Sequence, residues 1–98
     1  MRVQLIVIYS PLMEECRAFY ESLGLRFATE RHGDGPKHYA AVLDDGMVFE
    51  IYPASRRGET GALRLGFTLD GRSLRPPLPP GRHLLTDPDG RTVELATA

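Results

Sequence analysis

Two six-residue stretches decide the fold: Asp45-Gly46-Met47-Val48-Phe49-Glu50 and Asp89-Gly90-Arg91-Thr92-Val93-Glu94. Both have the pattern D-G-x-x-x-E, and in both the glutamate stands between two apolar residues. An Asp-Gly pair before an alternating apolar segment is typical of a tight turn that leads into a β-strand. The two stretches therefore predict a chain made of two similar halves, each ending in a strand that carries one glutamate.

The first half is predicted to be β-α-β-β-β. Residues 2–9 are rich in valine and isoleucine, which is typical of a largely buried strand. Ser10 and Pro11 predict a helix start, Gly24 predicts its end, and the apolar residues between them have helical spacing. Glycine-containing turns then separate three further predicted strands, over residues 25–31, 37–43 and 47–52.

The second half is shorter than the first. Gln4 and Glu50 are 46 positions apart, whereas Arg64 and Glu94 are only 30 apart. Strands are predicted over residues 63–69, 83–86 and 91–96, and the four prolines between residues 71 and 81 exclude a helix there. We therefore expect an α+β protein with tandem β-α-β-β-β modules, of which the second lacks its helix and possibly a strand.

Length and composition limit the function classes. The 98 residues predict one domain, with module one over 1–53, a linker over 54–62 and a truncated module two over 63–98. A net charge of −1 gives no basic surface for nucleic acid, and no apolar run reaches the roughly 20 residues of a membrane helix. The single cysteine excludes a multi-cysteine zinc site, and we expect a cytoplasmic protein.

Strand alternation divides the side chains between two faces of the predicted sheet. On the first strand, Val3, Leu5 and Val7 share a face that suits packing against the helix. The opposite face carries one polar residue on each major strand: Gln4, Glu50, Arg64 and Glu94. Apolar residues such as Ile6 and Tyr52 lie beside them. This mixture favours a concave small-molecule pocket over a plain solvated face.

The sequence resembles the vicinal oxygen chelate superfamily, the group of glyoxalase I, bleomycin-resistance proteins, fosfomycin-resistance enzymes and extradiol dioxygenases. The resemblance spans nearly the whole chain. It depends on the segments Phe19-Tyr20-Glu21-Ser22-Leu23-Gly24-Leu25, Phe49-Glu50-Ile51-Tyr52-Pro53, Arg64-Leu65-Gly66-Phe67 and Asp87-Pro88-Asp89-Gly90-Arg91-Thr92-Val93-Glu94-Leu95. It implies two modules whose sheets curl into an open cup.

The resemblance also implies where a metal would bind. In metal-using members the first strand of each module supplies His or Gln and the last strand supplies Glu, which here gives Gln4, Glu50, Arg64 and Glu94. The oxygens of Gln4, Glu50 and Glu94 suit a divalent metal such as Zn, Ni, Mn, Mg or Fe. Arg64 does not, because its guanidinium is always charged and has no lone pair to donate. No metal cofactor is therefore favoured, and we expect Arg64 to bridge Glu50 and Glu94.

The histidines are further candidates for a metal ligand. His38 lies on a predicted strand, but the sequence does not fix the face to which it points. His32 and His83 border turns and have less claim. The predicted ligand-binding residues are Gln4, His38, Glu50, Tyr52, Arg64 and Glu94.

Three functions remain open. Arg64 favours a metal-free, small-molecule-binding protein of the bleomycin-resistance type over an enzyme. The alternative is a metal-dependent lyase, isomerase or dioxygenase with Glu50 or Glu94 as the catalytic base. The third is a dimeric structural or regulatory relic.

A homodimer is also predicted. Without a second helix, the apolar face formed by Leu63, Leu65, Phe67, Leu69, Val93 and Leu95 has no cover, and such faces mark interfaces. A dilute sample that stays monomeric in light scattering would count against this prediction.

Overall fold

The structure is a computed structural model that describes residues 1–56 and 58–98. Over these residues the chain forms one α-helix and seven strands: β1 (Leu5–Ser10), α1 (Met13–Ser22), β2 (Phe27–Glu30), β3 (His38–Val42), β4 (Val48–Pro53), β5 (Arg64–Leu69), β6 (Gly81–Thr86) and β7 (Thr92–Thr97). The predicted α+β class and the order β-α-β-β-β followed by three strands are confirmed. The second module lacks both a helix and a strand.

The strands form two open sheets with matching topology. The first sheet has the order β1-β4-β3-β2, and the second has the order β5-β7-β6. In each module the first strand pairs in parallel with the last one, β1 with β4 and β5 with β7. The repeat seen in the sequence is therefore a repeat of strand pairing.

Both sheets and the helix share one hydrophobic core. Cys16 and Tyr20 of α1 are fully buried against Ile8 and Ile51 of the first sheet. The ring of Tyr20 lies 5.1 Å from Phe49 of the first sheet and 6.3 Å from Phe67 of the second. The single helix thus packs against core residues of both modules.

The prediction of which face of β1 packs against the helix is wrong. Val3 and Leu5 are 59% and 53% exposed, whereas Ile8 is fully buried beside the helix. Register explains the error, because Ile6 pairs with Phe49 and Ile8 with Ile51. Both faces of this strand are apolar in the sequence, so only the pairing with β4 decides which one enters the core.

The prediction that the second sheet has an uncovered apolar face is also wrong. Val93 and Leu95 are fully buried, and Leu65 is 8% exposed. The helix and the proline-rich connector supply the cover, since Leu74 of the connector is buried in the same core. The backbone N–H of Arg75 donates to the Ser22 carbonyl at the end of α1, which fixes the connector to the helix. The reason given for a homodimer therefore does not hold.

Candidate functional site

The six predicted ligand-binding residues do not meet at one place. His38, Glu50 and Tyr52 lie together on the polar face of the first sheet, the face turned away from α1, and Arg64 and Glu94 lie together on the second. Gln4 joins neither group. Gln4 is exposed, precedes β1 and continues the alternation of Ile6 and Ile8. The prediction that it shares a face with Glu50 is therefore wrong.

Arg64 and Glu94 form an ion pair on the second sheet. Arg64 Nη2 donates to Glu94 Oε2 at 2.9 Å. The other carboxylate oxygen accepts from Nη1 of Arg82 at 2.6 Å, a contact that was not predicted from the sequence. The hydrogen bond from Arg64, together with both positive charges, lowers the pKa of Glu94. Among the described residues Arg64 makes no ion pair with Glu50, so half of the expected bridge is present.

The residues at the positions where the resemblance implied a metal do not fit one. Both oxygens of Glu94 are engaged by guanidinium groups, and Arg64 offers no lone pair. Gln4 is not on the face that carries Glu50. The donor set that the resemblance implied is therefore not assembled among the described residues.

A second polar cluster lies where β2, β3 and β4 meet. His38 is 1% exposed, and its Nε2 lies 3.3 Å from Glu30 Oε1 and 3.6 Å from Glu50 Oε2. Nε2 of His32, just beyond β2, is 3.6 Å from the same Glu30 oxygen. The ring of His38 stacks on Tyr52 with 4.0 Å between centroids. This face thus brings two imidazoles and two carboxylates together.

Pairing between strands builds this cluster. Glu30 is opposite His38, and Ala40 is opposite Glu50, so Glu30, His38 and Glu50 all point to the same side of the sheet. Glu30 was not predicted as a site residue from the sequence, and His32 was only a weak candidate. The 31–37 turn holds the relevant signal, because a hairpin across it places residues 30 and 38 opposite each other.

An apolar groove of about 340 Å³ opens between the two modules. Arg64 and Asp45 are its charged lining residues. The rest of the lining is apolar or glycine: Val3, Ile6, Leu43, Met47, Phe49, Leu65, Gly66 and Phe67. Arg64 also lines a more open hollow of about 280 Å³ beside Arg91 and Thr92. Arg64 is thus the predicted site residue that borders both cavities.

A buried ionic network fastens the last turn to the first strand and helix. Asp87 and Arg91 are both 2% exposed, and their side chains pair at 3.2 Å. The hydroxyl of Tyr20 donates to Asp87 at 2.7 Å, and Arg91 Nη2 donates to the Thr60 carbonyl at 2.8 Å. These residues hold the fold together rather than line the groove. Asp87 and Arg91 belong to the D-P-D-G-R segment, whose part in a buried ionic network was not predicted from the sequence.

No protein-family model and no curated protein matches this sequence. Among solved structures, the chain is similar to an antibiotic binding protein from Streptomyces, with a TM-score of 0.70 and 19% identity over 99% of this chain and 95% of that one. It is also similar to a possible glyoxalase from Bacillus cereus, with a TM-score of 0.64 and 15% identity over 98% of each chain.

A third similar structure is a lactoylglutathione lyase from Agrobacterium tumefaciens, with a TM-score of 0.64 and 14% identity over 99% of this chain and 93% of that one. At these identities the comparisons establish a common fold. They include both a binding protein and an enzyme, so they leave the choice between those functions to the site. In the described part of the chain, no helix is long and apolar enough to cross a membrane.

Proposed function

We propose, with the fold of the vicinal oxygen chelate superfamily as the premise, that this protein binds a small molecule in the groove between its modules without a catalytic metal. The groove carries this proposal. Its volume of about 340 Å³ lies within the range of small-ligand sites, and an apolar wall with few charged groups is their common construction.

The lining indicates the chemistry of the ligand. Phe49, Phe67 and Met47 offer aromatic and thioether surface for a flat apolar body. Arg64 is 64% exposed, so its guanidinium can contact a ligand while it remains near Glu94. A carboxylate or similar anion can accept two parallel hydrogen bonds from such a group. The expected ligand is therefore a small aromatic or aliphatic acid.

The lowered pKa of Glu94 supports ligand binding rather than catalysis. A general base works best when its pKa lies near the working pH, whereas Arg64 and Arg82 hold the pKa of Glu94 below its ordinary value. The lyase, isomerase or dioxygenase alternative needs a metal held by Gln4, Glu50 and Glu94, and these residues do not converge. The relic alternative predicts that no ligand binds in the groove.

Two arginine variants test the proposal with anilinonaphthalene sulfonate, a fluorescent aromatic anion. Arg64→Gln is expected to weaken its binding by about 10- to 150-fold, because one charge-assisted hydrogen bond contributes about 1.5–3 kcal/mol. Arg82→Gln is the matched control, since Arg82 also pairs with Glu94 but does not line the groove. Circular dichroism checks that both variants are folded. Equal weakening in both variants, or none in Arg64→Gln, would contradict the proposal.

Homodimer formation and a cytoplasmic location stay predictions. The exposed large apolar side chains lie mainly outside the second sheet's core face, at Val3, Leu5, Val42 and Leu84 among others.

A further inference from the structure

The cluster of Glu30, His32, His38 and Glu50 has the composition and spacing of a cation site. One ligand atom from each residue lies within 4.8 Å of every other. Two atoms bound to the same tetrahedral zinc ion at about 2.0–2.1 Å are roughly 3.4 Å apart. The separations of 3.3 Å, 3.6 Å and 3.6 Å around Glu30 and His38 are close to that value.

His38 provides an independent observation that points to a ligand. Its Nδ1 lies 3.2 Å from the Pro36 carbonyl, which can only accept, so Nδ1 carries the proton. The other ring nitrogen, Nε2, is buried and has no hydrogen-bond partner among the described residues, although two carboxylates lie near it. A buried ring nitrogen this close to two carboxylates is stabilised only when a proton or a metal cation lies between it and their oxygens.

This arrangement is also how metal-binding histidines are oriented. Such a histidine usually donates its other ring N–H to a backbone carbonyl or a carboxylate, which fixes the tautomer and directs the free nitrogen to the metal. In His38 the Pro36 carbonyl has that role, and stacking on Tyr52 holds the plane of the ring. The free nitrogen then lies 3.3 Å from a Glu30 oxygen and 3.6 Å from a Glu50 oxygen.

We propose that Glu30, His32, His38 and Glu50 bind one divalent transition-metal ion of the zinc type, which joins the β2–β3 hairpin to β4. Two imidazole nitrogens and two carboxylate oxygens suit zinc, and four protein ligands leave no open position, as in structural sites. The site uses only Glu50 of the superfamily's metal positions. It lies apart from the groove and does not depend on the proposed ligand.

The test uses untagged protein and zinc chloride, with binding measured by isothermal titration calorimetry and by the zinc-dependent rise in Tm. The wild type is expected to bind one zinc ion per chain in a saturable way, and magnesium chloride is expected to give no rise. Glu30→Gln and His32→Ala are each expected to weaken zinc binding at least tenfold. Both residues are partly or largely exposed, so these variants are expected to fold even if a variant of buried His38 does not.

Two controls match the variants in chemistry. His83→Ala removes the histidine of the second sheet, and Glu15→Gln removes an exposed helix glutamate, so neither should change zinc binding. Cobalt absorption of four-coordinate character in the wild type, lost in His32→Ala, would support the ligand set. The proposal is overturned by non-saturable zinc binding, by full binding in the Glu30→Gln/His32→Ala double variant, or by an equal loss in His83→Ala.

Discussion

At the scale of single residues, the buried phenol of Tyr20 connects the helix to the last turn. Burial, and then the hydrogen bond to Asp87, raise the pKa of Tyr20 above its ordinary value. A group with a raised folded pKa favours the folded state fully below its unfolded pKa of about 10, and this contribution is lost as pH rises above it.

Tyr20→Phe is therefore expected to lower the free energy of unfolding by about 1–3 kcal/mol at neutral pH, because a hydrogen bond to a buried carboxylate is lost. Above pH 10 the wild type should lose up to about 1.4 kcal/mol per pH unit through Tyr20, while the variant does not. The difference in the free energy of unfolding between the wild type and Tyr20→Phe should therefore narrow above about pH 10. Urea unfolding of both proteins between neutral and alkaline pH measures this difference. If this difference stayed constant or widened, the hydrogen bond from Tyr20 to Asp87 would not stabilise the fold as described.

The surroundings of Arg64 and Glu94 were only partly predictable from the sequence. The sequence already excluded a four-ligand site, because a guanidinium cannot coordinate a cation. It could not reveal the partner Arg82, which reaches Glu94 only once β6 pairs with β7 and Leu84 is set opposite Glu94. The pairing of Arg64 with Glu94 was predicted, and the contact with Glu50 was not found.

At the scale of elements, the proline-rich connector takes over the place of the missing helix. Gly71 begins its short 3₁₀ turn, Gly71–Ser73, and is buried where the connector folds back on itself. A Cβ atom at this position would lie 2.2 Å from the Leu78 carbonyl oxygen, which is backbone and cannot move aside easily. The close approach explains why only glycine fits here.

Gly71→Ala is accordingly expected to lower the free energy of unfolding by about 1–3 kcal/mol through overpacking. Gly66→Ala is the matched control, because its nearest contact would be an ordinary 3.9 Å from the Glu94 carbonyl oxygen. Thermal or urea unfolding compares the two. If Gly71→Ala were as stable as Gly66→Ala, the connector would not pack as described.

The elements themselves were largely predictable from local sequence. Apolar alternation, the Asp-Gly turns and the prolines of 71–81 predicted every strand to within a few residues and excluded a second α-helix. The face of β1 that enters the core was not predictable, because apolar residues occupy both faces. The same ambiguity of register concealed the meeting of His38 with Glu30 and Glu50.

At the scale of the whole molecule, one helix packs against two sheets. Local sequence patterns assign each module its own covering helix and therefore predict an exposed apolar face on the second module. Long-range packing through Tyr20, Phe49 and Phe67 removes that exposure within one chain. The groove is a product of the same packing, since its lining comes from both modules and no single segment encodes it.

The central claim is that a small apolar anion binds in this groove, and methionine methyl groups report on it most directly. Met47 lines the groove, whereas Met13 lies in the helix against the core. In protein labelled with carbon-13 at its methionine methyls, titration with anilinonaphthalene sulfonate is expected to shift the Met47 signal in a saturable way and to leave Met13 unchanged. Saturable binding with Met47 unmoved, or with both methyls shifted equally, would contradict the account.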